Sequence, residues 1–211
     1  EKAEKTNLAK SQFLAAASHD LRQPLHAQGI LLEVLNLRLE DKEQRELLNK
    51  VTQSNEVLNT LFNSLLEISQ LDAGTIKVQK NHQLLMDICE PLVNEYRYLI
   101  QQEGLTIELT GDDVAVLTDP VLLTRILRNL VNNAIKFTAA GGVKVEIKSS
   151  ANQVYLSVID TGVGIPLPQQ ENIFNEYYQL DNKARDRNKG IGLGLALVRR
   201  MCELLKHTIR L

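Results

Sequence analysis

Apolar positions recur every three and four residues through the first third of the chain. Alternate steps of four and three pass through Leu14, Ser18, Leu21, Leu25, Gln28, Leu32, Leu35 and Leu39, and a 3.5-residue repeat keeps such positions on one helix face. The same rhythm returns in Leu47, Val51, Ser54, Leu58, Leu61, Leu65 and Ile68, after the charged stretch Glu40, Asp41, Lys42 and Glu43. Two long helices joined by a short polar turn predict an antiparallel hairpin. Further apolar residues flank both stripes, among them Ile30, Leu31, Val34, Leu37, Leu48, Val57, Phe62 and Leu66. One hairpin cannot cover so wide an apolar face. Two hairpins pairing as a four-helix bundle can, so a homodimer is expected; packing of the hairpin on the rest of its own chain is the alternative.

After Asp72, Ala73 and Gly74 the heptads stop, which divides the chain into domains at 1–74 and 75–211. Period-two alternation in VKVEIK (143–148) and VYLSVI (154–159) predicts two half-buried strands, with Gly141 and Gly142 before the first and Ala151-Asn152 as the turn between them. Shorter strands are expected at 76–80 and 105–110, and helices at 84–102, 120–137 and 192–205. The second domain is therefore expected to be an α+β sandwich, an antiparallel or mixed sheet with helices on one face.

Composition narrows the function. With 211 residues and 44% hydrophobic content the chain can bury real cores. A formal net charge of -2 gives no electrostatic support to nucleic-acid binding. Cys89 and Cys202 stand far apart without metal-ligand spacing, so neither zinc nor a disulfide framework is indicated. No apolar run approaches the roughly 20 residues that span a bilayer, and no signal peptide opens the chain. A cytoplasmic location is expected for this stretch, without direct membrane contact. The sequence starts without Met inside a helix-forming run, EKAEKTNLAK, so residue 1 reads as an internal boundary, with room ahead of it for a sensor segment, membrane-bound or not.

His19 follows the stripe position Ser18 and so falls on the flank of the first helix, within reach of a neighbouring domain. Five residues on, Pro24 cannot donate to the carbonyl of Asp20 and crowds it, so the helix should bend beside the histidine. Neutral imidazole has a lone pair for attack on phosphorus, and the adjacent Asp20 is placed to take the ring proton. Taken alone, a surface His followed by Asp is the ordinary pattern of a solvated pair. His26, His82 and His207 lack a comparable setting and read as structural.

A second set of motifs lies in the C-terminal domain. In RILRNLVNNAIKFT, Asn129, Asn133 and Lys136 are spaced four and three apart and share a helix face. Two amides and an ammonium there suit Mg²⁺ and phosphate oxygens, although a polar helix face has the same pattern. DTGVGIP follows a strand directly. Asp160 is expected as a buried carboxylate able to accept from an amino group such as that of adenine, while Gly162 and Gly164 permit close backbone approach. In KGIGLGLALV, Gly190, Gly192 and Gly194 precede or open a helix, whose N-terminal amides suit phosphate. Between the glycine motifs, Lys183, Arg185, Arg187 and Lys189 lie in a polar segment expected to act as a lid, with Phe174 and Tyr177 as its anchors.

Together and in this order these motifs resemble the sensor histidine kinase family of two-component systems. SHDLRQPLHA resembles its phosphoacceptor box, NLVNNAIKFT its asparagine box, DTGVGIP and KGIGLGL its glycine boxes, and IFNEYYQ its phenylalanine box. The resemblance implies a dimeric phosphotransfer hairpin followed by an ATP-binding domain of the GHKL type. It implies autophosphorylation of His19 from ATP, with Asp20 as acid/base partner, then transfer to an aspartate of a response-regulator receiver domain, separate or fused downstream. Asn133 would bind Mg²⁺, Asn129 and Lys136 would lie near the phosphates, and Asp160 would read the adenine amino group. Gly162 and Gly164 would shape the adenine side, while Gly190, Gly192 and Gly194 would border the triphosphate. Residues 72–75 would form the hinge between domains. Three departures stand out. Gln23 occupies the position where the family often has Thr or Asn to orient water for dephosphorylating the partner, which weakens the case for phosphatase activity while leaving Gln23 its candidate. Lys206 stands where a glycine is common. The chain stops at TIRL, before the family's final strand, so a truncated sheet is expected. The HDLRQP variant resembles kinases with fused receiver domains. A gyrase-type or chaperone-type ATPase and a non-catalytic dimeric scaffold are the competing functions.

Overall fold

The computed structural model describes residues 23–100, 104–151, 153–180 and 192–211. Among these, one compact unit comprises the residues through Lys77 together with Gly192 and Leu193, and the other comprises Val78–Leu180 and Gly194–Leu211. No helix among the described residues is long and apolar enough to cross a membrane.

The first unit is a helical hairpin of α1 (residues 23–38) and α2 (Lys42–Asp72). The charged turn is shorter than expected, because Asp41 has an extended backbone and accepts from the Gln44 amide at 3.0 Å, starting α2 at Lys42. Arg45 folds back to donate from Nε to the Leu39 carbonyl at 2.6 Å. The helices meet where Gly29 of α1 faces Asn55 of α2, with 3.6 Å between the position of a Cβ at Gly29 and Asn55 Nδ2. Burial along α2 departs from the stripe read in the sequence. Leu48, Asn55 and Ser69 are buried and Phe62 is half-buried, a set spaced by sevens, whereas the stripe residues Leu47, Val51 and Leu58 are 64%, 41% and 48% exposed. Two heptad faces one residue apart thus run along α2, one covered and one open in the N-terminal half of the helix, while the later stripe residues Leu61 and Leu65 are half-buried and Ile68 is buried. The sequence pattern cannot separate them, because adjacent apolar positions satisfy either.

Gly74 ends α2 in a left-handed conformation, φ +63°. The Thr75 amide reaches the Gln70 carbonyl at 3.2 Å and the Gly74 amide the Leu71 carbonyl at 3.1 Å, the two bonds of a Schellman cap. Residues 72–75, expected as a hinge, are therefore fastened to α2.

The second unit carries β1 (Asn81–Leu84), α3 (Leu85–Ile100), β2 (Thr106–Gly111), β3 (Ala115–Thr118), α4 (Pro120–Phe137), β4 (Gly142–Ser150), β5 (Gln153–Asp160) and α5 (Gly194–Leu205). The expected strand at 76–80 is unpaired chain; pairing starts at Asn81, antiparallel to β3. β3 itself is only four residues long, too short for a period to be read. The other sheet has the order β2-β4-β5, parallel then antiparallel. Val143, Val145 and Ile147 of β4 point inward against Cys89, Val93 and Tyr96 of α3 and Leu127 and Val131 of α4. On the outer face Glu146 pairs with Lys144 at 2.7 Å and Lys148 at 2.6 Å. This is the expected α/β sandwich with helices on one face, and α4 is the helix through which the site is built.

Candidate functional site

α4 begins where Asp119 caps it, its Oδ1 accepting from the amides of Val121 at 3.0 Å and Leu122 at 3.1 Å, and Pro120 supplies the fixed φ of a first helical residue. Leu123, Leu127, Val131 and Ala134 bury one side in the core, which leaves Asn129, Asn133 and Lys136 on another. Asn129 uses its amide hydrogens on the Arg125 carbonyl at 2.9 Å, and its Oδ1 faces the first residue of α5. A Cβ on Gly194 would stand 3.0 Å from Asn129 Oδ1 and 3.8 Å from Asn133 Nδ2. Glycine lets the start of α5, where a helix leaves its first amides without intrahelical partners, come this close to the amide pair without pushing the Asn129 side chain aside. Gly192 makes the approach to α5 with φ +77°, while Gly190 lies outside the described residues.

The other end of α4 meets the turn after β5. A Cβ on Gly162 would lie 2.4 Å from the Phe137 carbonyl oxygen, the last residue of α4. Thr161 fastens this turn, its Oγ1 accepting from the Gly142 amide at 3.0 Å and donating to the Ala140 carbonyl at 3.1 Å. Asp160 is exposed rather than buried, because it lies at the outer end of the sheet's edge strand; its Oδ1 accepts from the Gly162 amide at 2.8 Å. Gly164 turns with φ +69° in open space. Lys136 places its ammonium 5.2 Å from the Phe137 ring centroid. The eight residue steps from Asn129 to Phe137 cover about 12 Å of helix, so one rigid element joins an amide pair beside a helix N-terminus to a glycine turn bearing a carboxylate.

Neighbouring residues hold α4 in place. Asn132 accepts from the Tyr96 hydroxyl at 2.7 Å, and so belongs to the contact with α3. Arg128 makes a two-pronged pair with Glu95, at 2.7 and 2.9 Å, and its guanidinium lies 5.9 Å from the Tyr96 ring centroid. The hydrogen bond from Arg128 holds the Glu95 carboxyl below its ordinary range, while burial raises the Tyr96 hydroxyl.

Phe174 is fixed to α5, where the Arg199 guanidinium lies 5.2 Å from its ring centroid, and Glu176 pairs with Arg200 at 2.6 Å. Tyr177, expected as a second anchor, is 58% exposed with φ +60°. The basic residues Lys183, Arg185, Arg187 and Lys189 fall outside the described residues, as do His19 and Asp20. Gln23 is exposed on α1, as is His26, and His82 is exposed on β1. His207 has a structural partner in Thr118, with 3.0 Å between Nε2 and Oγ1. Sequence inspection missed Asp119 and Thr161. The Asp-Pro pair before an apolar run was the signal for the cap, whereas nothing in DTG marks its threonine as a fastener.

Residues 118–211 match the family described as histidine kinase-, DNA gyrase B- and HSP90-like ATPase. Residues 9–74 match the His Kinase A phospho-acceptor domain. The chain belongs to the histidine kinase family. The histidine kinase core is 31% identical over 216 residues to the autoinducer 2 sensor kinase/phosphatase LuxQ of Vibrio vulnificus, an alignment covering 98% of the chain and 25% of LuxQ. It is 36% identical over 200 residues to the adaptive-response sensory kinase SasA of Rippkaea orientalis, covering 89% of the chain and 50% of SasA. Among solved structures, full-length ShkA in complex with AMPPNP superposes with a TM-score of 0.75 at 28% identity, over 91% of this chain and 40% of that one. The chain thus spans between a quarter and a half of these relatives.

Proposed function

We propose that this histidine kinase core, with 1–74 as phosphoacceptor hairpin and 75–211 as ATP-binding domain, transfers the γ-phosphoryl group of ATP to His19 and from there to an aspartate of a receiver domain. The approach of Gly194, at the start of α5, to Asn129 and Asn133 carries the proposal. Amides at a helix start and an amide pair within one van der Waals contact suit phosphate oxygens, and the glycine turn at the far end of α4, with Asp160, suits the base. The complex of ShkA with AMPPNP supports this use of the fold.

In the transfer step a ring nitrogen of His19 bonds to phosphorus as the bond from phosphorus to the ADP oxygen breaks, and the proton on the other nitrogen passes to Asp20. Asn129 and Asn133 orient the phosphates and Lys136 offsets their charge, so that positioning and charge stabilisation supply the catalysis. The donor set on α4, two amides accessible from solvent, fits Mg²⁺ held mainly by ATP, with Asn133 as protein ligand. When bound, the ion would neutralise charge developing on the phosphate oxygens. Transfer across two domains requires the ATP-binding domain to swing. The match of residues 9–74 to a phosphoacceptor domain favours this function over a gyrase-type ATPase.

The open stripe of Leu47, Val51 and Leu58 on α2 supports a homodimer, its likeness in the partner hairpin completing a four-helix bundle. The test of function is incubation with γ-labelled ATP and Mg²⁺. The expected result is acid-labile, base-stable label that disappears in His19→Gln. A folded, ATP-binding protein that takes up no label would overturn the proposal, and label surviving in His19→Gln would overturn the acceptor.

A further inference from the structure

The passage from the hairpin into the second unit at Lys77–Val78 is held at both ends. On the hairpin side, Thr75 is the last residue bound to α2, through its amide and its hydroxyl, which reach the Gln70 carbonyl at 3.2 and 3.1 Å. On the other side, the Gln79 amide donates to Asp119 Oδ2 at 2.7 Å. The same carboxylate caps α4 through its other oxygen, so one side chain fastens the incoming chain to the helix that carries Asn129, Asn133 and Lys136. Lys80 then donates to the Leu205 carbonyl at the end of α5. The last turn of α5 has no basic residue of its own, and Lys80 supplies the cation that a helix C-terminus favours. Ile76, Lys77 and Val78 make no hydrogen bond among the described residues.

We infer that domain movement is confined to Ile76–Val78 and that Asp119, by holding Gln79, is a positioning residue for phosphoryl transfer. This rests on the proposed kinase function. Four Cα steps separate Thr75 from Gln79, a reach of at most about 14 Å. A short hinge keeps the two domains at high effective concentration, which falls as the flexible segment lengthens. Release of Gln79 and Lys80 would let the mobile stretch run on to β1 without altering any residue that faces the nucleotide.

Asp119→Asn separates the two roles of the carboxylate. Asparagine caps a helix as well as aspartate, so its oxygen keeps the bonds to Val121 and Leu122, while its NH₂ group cannot accept from Gln79. Lys80→Met is the second variant and removes only the bond to α5. Trypsin reads the tether without catalysis. In the wild-type chain it is expected to cut after Lys77 and to spare Lys80; in Asp119→Asn it should cut after Lys80 as well. At saturating ATP, Asp119→Asn is expected to label His19 about twofold more slowly with its ATP dissociation constant unchanged, and Lys80→Met to show a smaller loss of the same kind. Wild-type cleavage after Lys80 as readily as after Lys77 would overturn the hinge. An unchanged labelling rate in a variant newly cut at Lys80, or a weakening of ATP binding in step with the rate, would overturn the positioning role. A wild-type chain that takes up no label refutes the kinase function, while trypsin still decides the hinge.

Discussion

Lys206 adopts φ +59° after the last turn of α5, a position where its amide reaches the Glu203 carbonyl at 3.0 Å and the His207 amide the Cys202 carbonyl at 2.8 Å. This is a second Schellman cap, built on a residue with a Cβ. The left-handed conformation costs a non-glycine residue about 1–2 kcal/mol, and glycine gives part of that back through a freer unfolded chain. Lys206→Gly is therefore expected to stabilise the second unit by about 0.5–1 kcal/mol in urea denaturation. His207 beside it is held below its ordinary pKa of 6.5, first by burial and then by the charge of Lys80, against a weaker opposing bond to the Lys206 backbone. The unfolded chain takes up the proton first as pH falls, so this contribution is complete above pH 6.5 and is lost below it. His207→Gln is expected to lose less thermal stability than wild type between about pH 7 and pH 5.5. At Gly194 the limit is space. Gly194→Ala puts a methyl group 3.0 Å from Asn129 Oδ1, and ATP binding should weaken about tenfold, or about 1.4 kcal/mol, with the circular dichroism spectrum unchanged. Unaltered affinity would separate this contact from nucleotide binding.

Among the elements, those with long periods were legible before any coordinates. α4 and β4 fall within a residue or two of the expected 120–137 and 143–148, because capping and alternation mark both ends. β3 and the unpaired 76–80 stretch were not, since four residues carry no period and pairing depends on a partner 37 positions away, as in Asn81 opposite Thr118. Of the site, the residue types and their order were legible, and their exposure was not. Asp160 is open because of β5's edge position, a property of strand order rather than of composition. Within the hairpin, Asn55 is 6% exposed and its Oδ1 has no hydrogen-bond partner among the described residues. A buried unpaired amide costs about 1–3 kcal/mol. Asn55→Leu should therefore raise the thermal midpoint by a few degrees, and a lower midpoint would show that the amide pairs in the assembled bundle.

For the whole molecule, the open face of α2 has a direct test. Val51→Glu would set a charge on the exposed stripe beside the covered face that holds Leu48 and Asn55. Light scattering at micromolar concentration is expected to show a dimer for the wild-type chain and a monomer for this variant, with the helical content retained. If both are monomeric, the apolar stripe has another cover. A dimer is also what would bring two acceptors and two ATP-binding domains into one assembly. Within each domain α4 then acts as a ruler. Its two ends are fixed, one by the amide pair facing Gly194 and the other by the turn packed on Phe137, and a helix does not stretch. A ligand engages both only if its own length matches. With the nucleotide placed as proposed, a nucleoside monophosphate would engage the Asp160 turn and fall short of α5, so reach alone would tell it from ATP before any chemistry begins.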